Sequence, residues 1–354
     1  ASDVYKRQAK EACETLGVEY TIVTNVPEGQ ECYDKAAELA DAGCNIIFAD
    51  SFGHEPYMIQ VAKENPEVQF CHSTGTRAHT EGLANYHNAF ASIYEGRYLA
   101  GIAAGMKLNE MIEKGEFKKD EAKMGYVGAF TYAEVISGYT SFFLGARSVC
   151  PTATMEVTFT GSWYDETAEK EGAQKLIKNG CKLISQHADS MGAPTACETA
   201  GVPDVSYNGS TEAACPNTYL ISSRIDWAPY FEYAIETVFN GGTIDQDWCK
   251  GIADGSVVMT TLNEKICAKG TAEKVAEVEK ALKDGTLQVF DTSKFTVKGE
   301  TVTHAFALDT DGDFTPDAEE AVFDGAFHES YFQSAPYFAI KIAVSYTHLR
   351  AHET

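Results

Sequence analysis

Aromatic, acidic and hydroxylated residues follow several of the predicted strands. The candidate binding residues are Ser51, Phe52, His72, Trp163, Asp189, Ser190 and Asn208. Aromatic rings can stack on a flat ligand, and carboxylate, amide and hydroxyl groups can form hydrogen bonds with its edge. The loops that carry these residues contain one arginine, Arg224, and no lysine. This composition favours a neutral planar or hydroxylated ligand over a phosphate or carboxylate, which would need a basic clamp.

A second group of acids offers a catalytic alternative. Asp165 and Glu166, with Glu169 and Glu171, have the residue types of a general acid and base. They lie at the predicted start of a helix, however, where acids commonly stabilise the N-terminal dipole. The sequence also contains no GxSxG, Walker, HExxH or GxGxxG motif. We therefore predict a protein that is not an enzyme and uses no cofactor.

The segment 309–320 resembles a calcium-binding loop. It places acids at positions 1, 3, 5, 9 and 12 of an EF-hand pattern, but Phe314 stands at position 6, where that loop requires glycine. A polar hairpin turn is the favoured interpretation, and we predict no metal site.

The ten cysteines are scattered without a CxxC pair or a zinc-type Cys/His cluster. Most are predicted to be small buried residues. Cys197 with Cys215, or Cys249 with Cys267, could form disulfides if the protein works outside the cell.

Predicted strands and helices alternate along the chain in two series. The first has strands at 19–24, 45–50 and 68–73 and helices at 31–42 and 55–64. The second has strands at 123–130, 154–161, 181–188, 204–208 and 219–224, separated mainly by helices at 133–148, 165–178 and 192–199. Such alternation predicts parallel sheets covered by helices, here two Rossmann-like lobes with a cleft between them. Ligands bind beyond the carboxyl ends of such strands, where the candidate residues lie.

The predicted first lobe comprises residues 1–122 and about 225–256, and the second comprises 123–224 and about 257–342. Segments that return between the lobes would form a multi-strand hinge. The ends, 1–8 and 345–354, resemble translated sequencing adapters and are interpreted as non-native. The natural start, including a first strand, is therefore expected to be absent from this chain.

Charge and composition exclude several classes of protein. The 354 residues include 28 Lys and Arg against 52 Asp and Glu, which gives a net charge of −24. Such a chain would be repelled by nucleic acid and by anionic membrane surfaces. With 44% hydrophobic and 23% charged residues, it has the composition of a well-cored globular protein.

Three stretches of the sequence resemble the basic membrane protein family. They are GYVGAF with GYTSFFLGAR, GSWYDETAEKEGAQKLIKNGCKLISQHADS, and ISSRIDWAPYFEYAIETVFNGG with DWCKGIADGSV. These proteins are extracytoplasmic solute-binding components of ABC importers and have the periplasmic-binding-protein type I fold. The resemblance covers about 9–342 and implies a purine nucleobase or nucleoside as ligand, an ABC permease as partner, and a lipid anchor on the missing N-terminus.

The resemblance also implies roles for individual residues. Trp163 matches the aromatic residue of the family's Gly-Ser-aromatic-x-Asp motif and would stack on the base. Asp189 and Ser190 match a polar loop that accepts hydrogen bonds from the base, and Asn208 stands where the family usually has an acid. The family's first strand and its loop, which supply an opposing aromatic residue, are missing here. The alternatives are a ligand-sensing receptor ectodomain or an enzyme that acts on nucleosides.

Overall fold

The computed structural model describes residues 2–342 and 345–347. Its helices are α1 (Ser2–Leu16), α2 (Gln30–Asp41), α3 (Glu55–Glu64), α4 (Ala78–Glu81), α5 (Ile93–Glu113), α6 (Ala133–Val149), α7 (Glu166–Lys178), α8 (Gly192–Ala200), α9 (Ala228–Phe239) and α10 (Thr271–Lys283). Its strands are β1 (Ile46–Ala49), β2 (Gln69–Ser73), β3 (Tyr86–Ala91), β4 (Lys123–Gly128), β5 (Thr154–Phe159), β6 (Leu183–His187), β7 (Asp204–Tyr207), β8 (Tyr219–Ile225), β9 (Asp247–Lys250), β10 (Val257–Met259), β11 (Phe306–Leu308), β12 (Ala318–Glu320), β13 (Val322–Phe323), β14 (Ala326–Phe327) and β15 (Ser345–Thr347).

The first sheet has the order β1-β2-β3-β9, and all its described pairings are parallel. In register, Phe48 pairs with Cys71 and Cys71 pairs with His87. All six residues of β3 are buried, as expected for a parallel strand covered on both faces.

The second sheet has the order β10-β8-β7-β6-β4-β5-β15. Its pairings are parallel except that of β10 with β8, which is antiparallel. Two parallel sheets with alternating helices confirm the predicted α/β class and the two-lobed arrangement. Short hairpins, β11 with β12 and β13 with β14, follow near the C-terminal end.

The chain passes between the sheets at three places. It does so at Ser92 after β3, at Asp226 after β8, and at 251–256 between β9 and β10. The Ser92 N–H donates to the Lys250 carbonyl at 2.9 Å, and the Asp226 N–H donates to the Ser256 carbonyl at 2.9 Å. These crossings provide the multi-strand hinge that the sequence predicts.

Helices α5 and α6 pack unusually closely because each presents glycine to the other. A Cβ on Gly101 would lie 2.1 Å from the Phe142 carbonyl oxygen, and a Cβ on Gly145 would lie 2.1 Å from that of Tyr98. Helix α5 also packs against β8 of the second sheet. Helix α5 therefore lies with the second sheet, and the domain boundary at 122 stays a prediction.

The predicted strand at 19–24 is not a strand in the structure. Residues 18–28 have no regular secondary structure, and Tyr20, Ile22 and Val23 are 42%, 40% and 40% exposed. Strand β1 is the edge of its sheet, and its only described partner is β2. The 19–24 segment has strand-forming residues, but among the described residues no strand lies beside it to pair with.

The predicted non-native ends are partly included in regular elements. Helix α1 contains residues 2–8, with Tyr5 buried, and β15 lies beside β5, whereas 348–354 lie outside the described residues. The interpretation that these ends are non-native stays a prediction.

All ten cysteines are free, so neither suggested disulfide is present. Cys249 Sγ lies 3.6 Å from Ser92 Oγ, while Cys267 Sγ lies 3.5 Å from the Leu220 carbonyl oxygen. The two thiols therefore have separate partners.

Candidate ligand-binding cleft

A cavity of about 1710 Å³ is bordered by residues of both lobes and continues along the free edge of β1. In the cleft its walls come from loops that follow parallel strands. Asp50, Ser51 and Phe52 follow β1, and Trp163 and Asp189 follow β5 and β6. This is the position where open α/β sheets bind ligands.

Trp163 forms part of the second-lobe wall with an aromatic series. Its ring centroid lies 6.2 Å from that of His187, whose ring stacks on Tyr207 at 4.0 Å. Phe130 contacts the Trp163 indole edge-on at 5.8 Å. Trp163 is half-buried and lines the cavity, so it offers an aromatic surface to a planar ligand.

The loops around Trp163 are held by hydrogen bonds to one buried acid. Glu169 accepts from the Asp165 N–H at 3.0 Å and from the Ser190 N–H at 3.2 Å. The Asp189 N–H donates to the Trp163 carbonyl at 2.8 Å. Asp165 caps α7 by accepting from the Ala168 N–H at 2.9 Å. Asp165 and Glu169 thus have structural roles, as the helix-start interpretation predicts.

Glu134, in the first turn of α6, adds a carboxylate to the same wall. Its Oε1 lies 3.4 Å from the Tyr207 hydroxyl and 3.4 Å from His187 Nε2. Burial lowers the pKa of His187, although Glu134 acts in the opposite direction. The neutral imidazole is therefore favoured.

The first-lobe wall depends on Glu28 and His72. Glu28 accepts hydrogen bonds from the Ser51 hydroxyl at 2.5 Å and from the Gly53 N–H at 3.0 Å. The hydrogen bond from Ser51 lowers the pKa of Glu28. His72 Nε2 lies 2.6 Å from the Ser51 carbonyl oxygen, so its imidazole supports this loop from behind.

Three aromatic residues meet at the mouth of the cleft. Phe52 of the first lobe and Tyr132 of the second have centroids 6.3 Å apart, and Phe314 lies 6.0 Å from Phe52 and 6.4 Å from Tyr132. Phe314 belongs to the loop between β11 and β12, which is tied to the first lobe where His79 Nε2 contacts the Asp309 carbonyl at 2.6 Å. The three rings bridge the two lobes.

The sequence-predicted candidates divide into two groups. Those that line the cavity are Ser51, Phe52, Trp163, Asp189 and Asn208. His72 and Ser190 are buried behind the wall, where they support loops.

Asn208 has a backbone role that explains its residue type. Its φ is 57°, which asparagine tolerates better than most residues, and its Oδ1 accepts from the Ile225 N–H at 3.1 Å.

Sequence reasoning missed Glu134, Tyr132 and Phe314 as cavity residues. Glu134 could have been found as an acid just inside a helix that follows a strand-end loop. No local sequence pattern indicates that Phe314 lines the cavity, because it lies on a hairpin that is distant in sequence from the strand-end loops of the cleft.

The loop between β11 and β12 brings three carboxylates together. One oxygen from each of Asp309, Asp311 and Asp313 lies within 4.8 Å of the others. Asp309 accepts from the N–H groups of Asp311, Gly312 and Phe314 at 2.8–3.2 Å. These bonds fold the hairpin loop and support the turn interpretation.

The cleft combines an aromatic stacking surface with hydrogen-bond acceptors. Burial raises the pKa of Asp189 to about 6, and the charges of Glu134 and Glu169 act in the same direction. Burial also raises the pKa of Asp50. This arrangement can bind a planar molecule and accept hydrogen bonds from its edge.

The candidate nucleophiles near the cavity are poorly activated. The Ser51 hydroxyl donates a hydrogen bond to the Glu28 carboxylate, not to an imidazole. Burial raises the pKa of the Cys32 thiol to about 11.

Comparison with known proteins identifies relatives over most of the chain. Residues 3–291 match the family model described as "ABC transporter substrate-binding protein PnrA-like". A purine-binding protein of Brucella abortus is 33% identical over 284 residues, which cover 79% of this chain and 76% of the relative. A protein of Haloferax volcanii named as an ABC transporter glucose-binding protein is 30% identical over 295 residues, covering 83% and 71%.

A solved structure supports the fold. The solute-binding protein of an ABC transporter system from Conexibacter woesei superimposes with a TM-score of 0.64 at 20% identity, over 80% of this chain and 92% of that one. Within the described residues, no helix has the length and apolar character needed to cross a membrane. The match of the family model to most of the chain shows that the protein belongs to the PnrA-like family of ABC transporter substrate-binding proteins.

Proposed function

We propose that this protein binds a purine nucleobase or nucleoside in the cleft and delivers it to an ABC permease. The observation that carries the proposal is Trp163, which lines the cavity beside the carboxylates of Glu134 and Asp189. An indole favours a flat π-system, and carboxylates accept from the N–H groups of a base. The purine-binding protein from Brucella abortus supports the same ligand class.

Delivery would depend on closure of the two lobes. A ligand that touches Trp163 on one lobe and Phe52 or Asp50 on the other would stabilise the closed state, because it forms both sets of contacts only there. The crossings near Ser92 and Asp226 would act as the hinge. The family is extracytoplasmic, and we propose that a lipid on the natural N-terminus anchors this member to the membrane.

A sugar is the second candidate ligand, favoured by the relative named as glucose-binding. Isothermal titration calorimetry with adenine, adenosine, guanosine and glucose separates the two classes. Saturable heat with a purine and none with glucose is expected. Saturable heat with glucose and none with any of the purines would contradict the proposal.

The rival functions have their own tests. Recovery of the purine chemically unchanged after prolonged incubation is expected for a receptor, whereas cleavage of a nucleoside would identify an enzyme. Purine uptake into proteoliposomes that contain the cognate permease is expected to require the protein. Ligand binding without any effect on uptake would favour a sensing ectodomain.

We also propose that, in the natural protein, the segment that precedes residue 9 completes the first sheet. The cavity continues between the edge of β1 and the unpaired residues 19–24, with Tyr5 and Ala9 of α1 and Ala36 of α2 among its lining residues. An extended segment in this part of the cavity would pair with β1 on one side and with residues 19–24 on the other. Hydrogen–deuterium exchange of a chain extended to its natural start should show protection at 19–24 and 46–49 that the present chain lacks. Equal exchange in both chains would reject this proposal.

A further inference from the structure

We propose that the cleft selects an aminopurine over purines that carry carbonyl groups in place of the amino group. This inference rests on the proposed function and specifies its ligand. Its basis is an excess of hydrogen-bond acceptors around the stacking surface of Trp163.

Carboxylates line both sides of the cleft. Asp50 lies on the first-lobe wall, and Glu134 and Asp189 lie on the second. An ionised carboxylate accepts hydrogen bonds but cannot donate one. The wall around Trp163 is therefore rich in acceptors.

Several of these acceptors have no donor in the protein. Asp189 is exposed in the cleft, and within the described part of the chain no residue donates a hydrogen bond to its carboxylate. Glu134 engages Tyr207 and His187 through Oε1, which leaves Oε2 for a ligand. Gln333 also lines the cavity and is only 5% exposed, yet its Oε1 receives no hydrogen bond. A ligand with N–H groups would satisfy acceptors of this kind.

The positive charges near the cavity do not offset these acids. The lysines on its border, Lys6, Lys10 and Lys35, lie on α1 and α2, where each pairs with an acid of its own helix. Arg97 lies behind the wall, 5.7 Å from the Tyr207 ring centroid, and donates to the Ser206 carbonyl at 3.1 Å. The guanidinium is fully buried and does not line the cavity.

This pattern discriminates between purines of nearly the same shape. Adenine presents an exocyclic amino group beside an unprotonated ring nitrogen, whereas hypoxanthine has a carbonyl oxygen beside a ring N–H, so the preference for adenine requires a carboxylate that faces the exocyclic position. A carbonyl oxygen placed against a carboxylate is repelled and leaves the acceptor unpaired. Xanthine carries two carbonyls and is partly anionic near neutral pH, so the acidic cleft should disfavour it most. Stacking on Trp163 should differ little among the three bases.

The test is calorimetric titration of the full chain at pH 7.5 with adenine, hypoxanthine and xanthine. We expect adenine to bind at least about ten-fold more tightly than hypoxanthine, with xanthine weakest, because each discriminating contact involves a charged acceptor. The variants Asp189→Asn and Glu134→Gln can donate as well as accept. At least one of them should reduce the preference for adenine about ten-fold without weakening hypoxanthine.

Glu171→Gln is the matched control because it removes an exposed carboxylate on α7, outside the cavity. It should leave the preference unchanged. Equal affinity for adenine and hypoxanthine in the unmodified protein, or a preference that survives both cleft variants, would overturn the inference while leaving purine binding intact. Absence of binding by every purine would reject the proposed function along with it.

Discussion

The rings of Phe52 and Tyr132 stack across the mouth of the cleft, with centroids 6.3 Å apart and planes inclined by 28°. Phe52 follows the first strand of one sheet, and Tyr132 precedes the helix after the first strand of the other. Contact between them therefore requires the lobes to be close together. This aromatic pair should help to retain a bound ligand.

Phe52→Ala should accelerate ligand release. An aromatic pair contributes about 0.5–1.5 kcal/mol beyond its buried area, so the dissociation rate should rise about 2- to 12-fold. Stopped-flow displacement of a bound purine measures this rate. Phe306→Ala removes an exposed ring on β11 outside the cavity and should have no effect. An unchanged rate for Phe52→Ala would show that the pair does not retain the ligand.

Ligand affinity should depend on pH through Asp189, whose pKa burial raises to about 6. Above pH 6 the carboxylate form predominates and accepts from the ligand. As the pH falls through 6, protonation removes this acceptor, and affinity for adenine should decrease. Calorimetry between pH 7.5 and 5 tests the slope. Asp189→Asn should show a flatter profile, and an identical slope in both proteins would exclude Asp189 as the titrating contact.

Folding stability should fall as the pH rises toward 8. Burial raises the pKa values of Asp204 and Glu329 to about 8, far above their ordinary values near 4. Between about pH 4 and about pH 8 the folded state binds more protons than the unfolded state, so each increase in pH favours unfolding. Melting temperatures from pH 5 to 8 should decline less steeply in Asp204→Asn and Glu329→Gln than in Glu171→Gln. Parallel declines in all variants would contradict this account.

The contact between α5 and α6 should not tolerate a methyl group. Gly101→Ala would place a Cβ 2.1 Å from the Phe142 carbonyl oxygen, and the backbone must shift to accommodate it. Overpacking of this kind costs about 1–3 kcal/mol, which thermal or urea unfolding can measure. Gly29→Ala is the control because its Cβ would meet nothing within 4 Å. Equal stability of the two variants would contradict the close-packing interpretation.

The sequence predicts most of the fold because its hydrophobic runs and turns alternate regularly. Predicted helices such as 55–64 and 133–148 agree with α3 and α6 within one residue. The strand prediction for 19–24 was wrong for a non-local reason, since a strand needs a partner that local composition cannot guarantee. Strand β3 was missed because its polar residues, His87 and Asn88, are buried and hydrogen-bonded by neighbouring elements.

The site was only partly predictable. The positions of Trp163 and Asp189 beside the cavity were predictable because strand-end loops of an α/β sheet converge on one cleft. The distinction between residues that face the cavity and those that support it, such as His72, depends on side-chain direction. Phe314 reaches the cleft through a hairpin whose docking on His79 has no local signal in the sequence.

The most direct test of purine binding at Trp163 is a fluorescence titration. Trp163 and Trp227 both line the cavity, but Trp227 is buried, as is Trp248, whereas Trp163 is half-buried, so adenine or adenosine should quench mainly Trp163. Base stacking contributes about 1–3 kcal/mol, so calorimetry on Trp163→Ala should show affinity weakened about 5- to 150-fold, with the quenching lost. Quenching and affinity unchanged in this variant, or no response to any purine in the unmodified protein, would contradict the account.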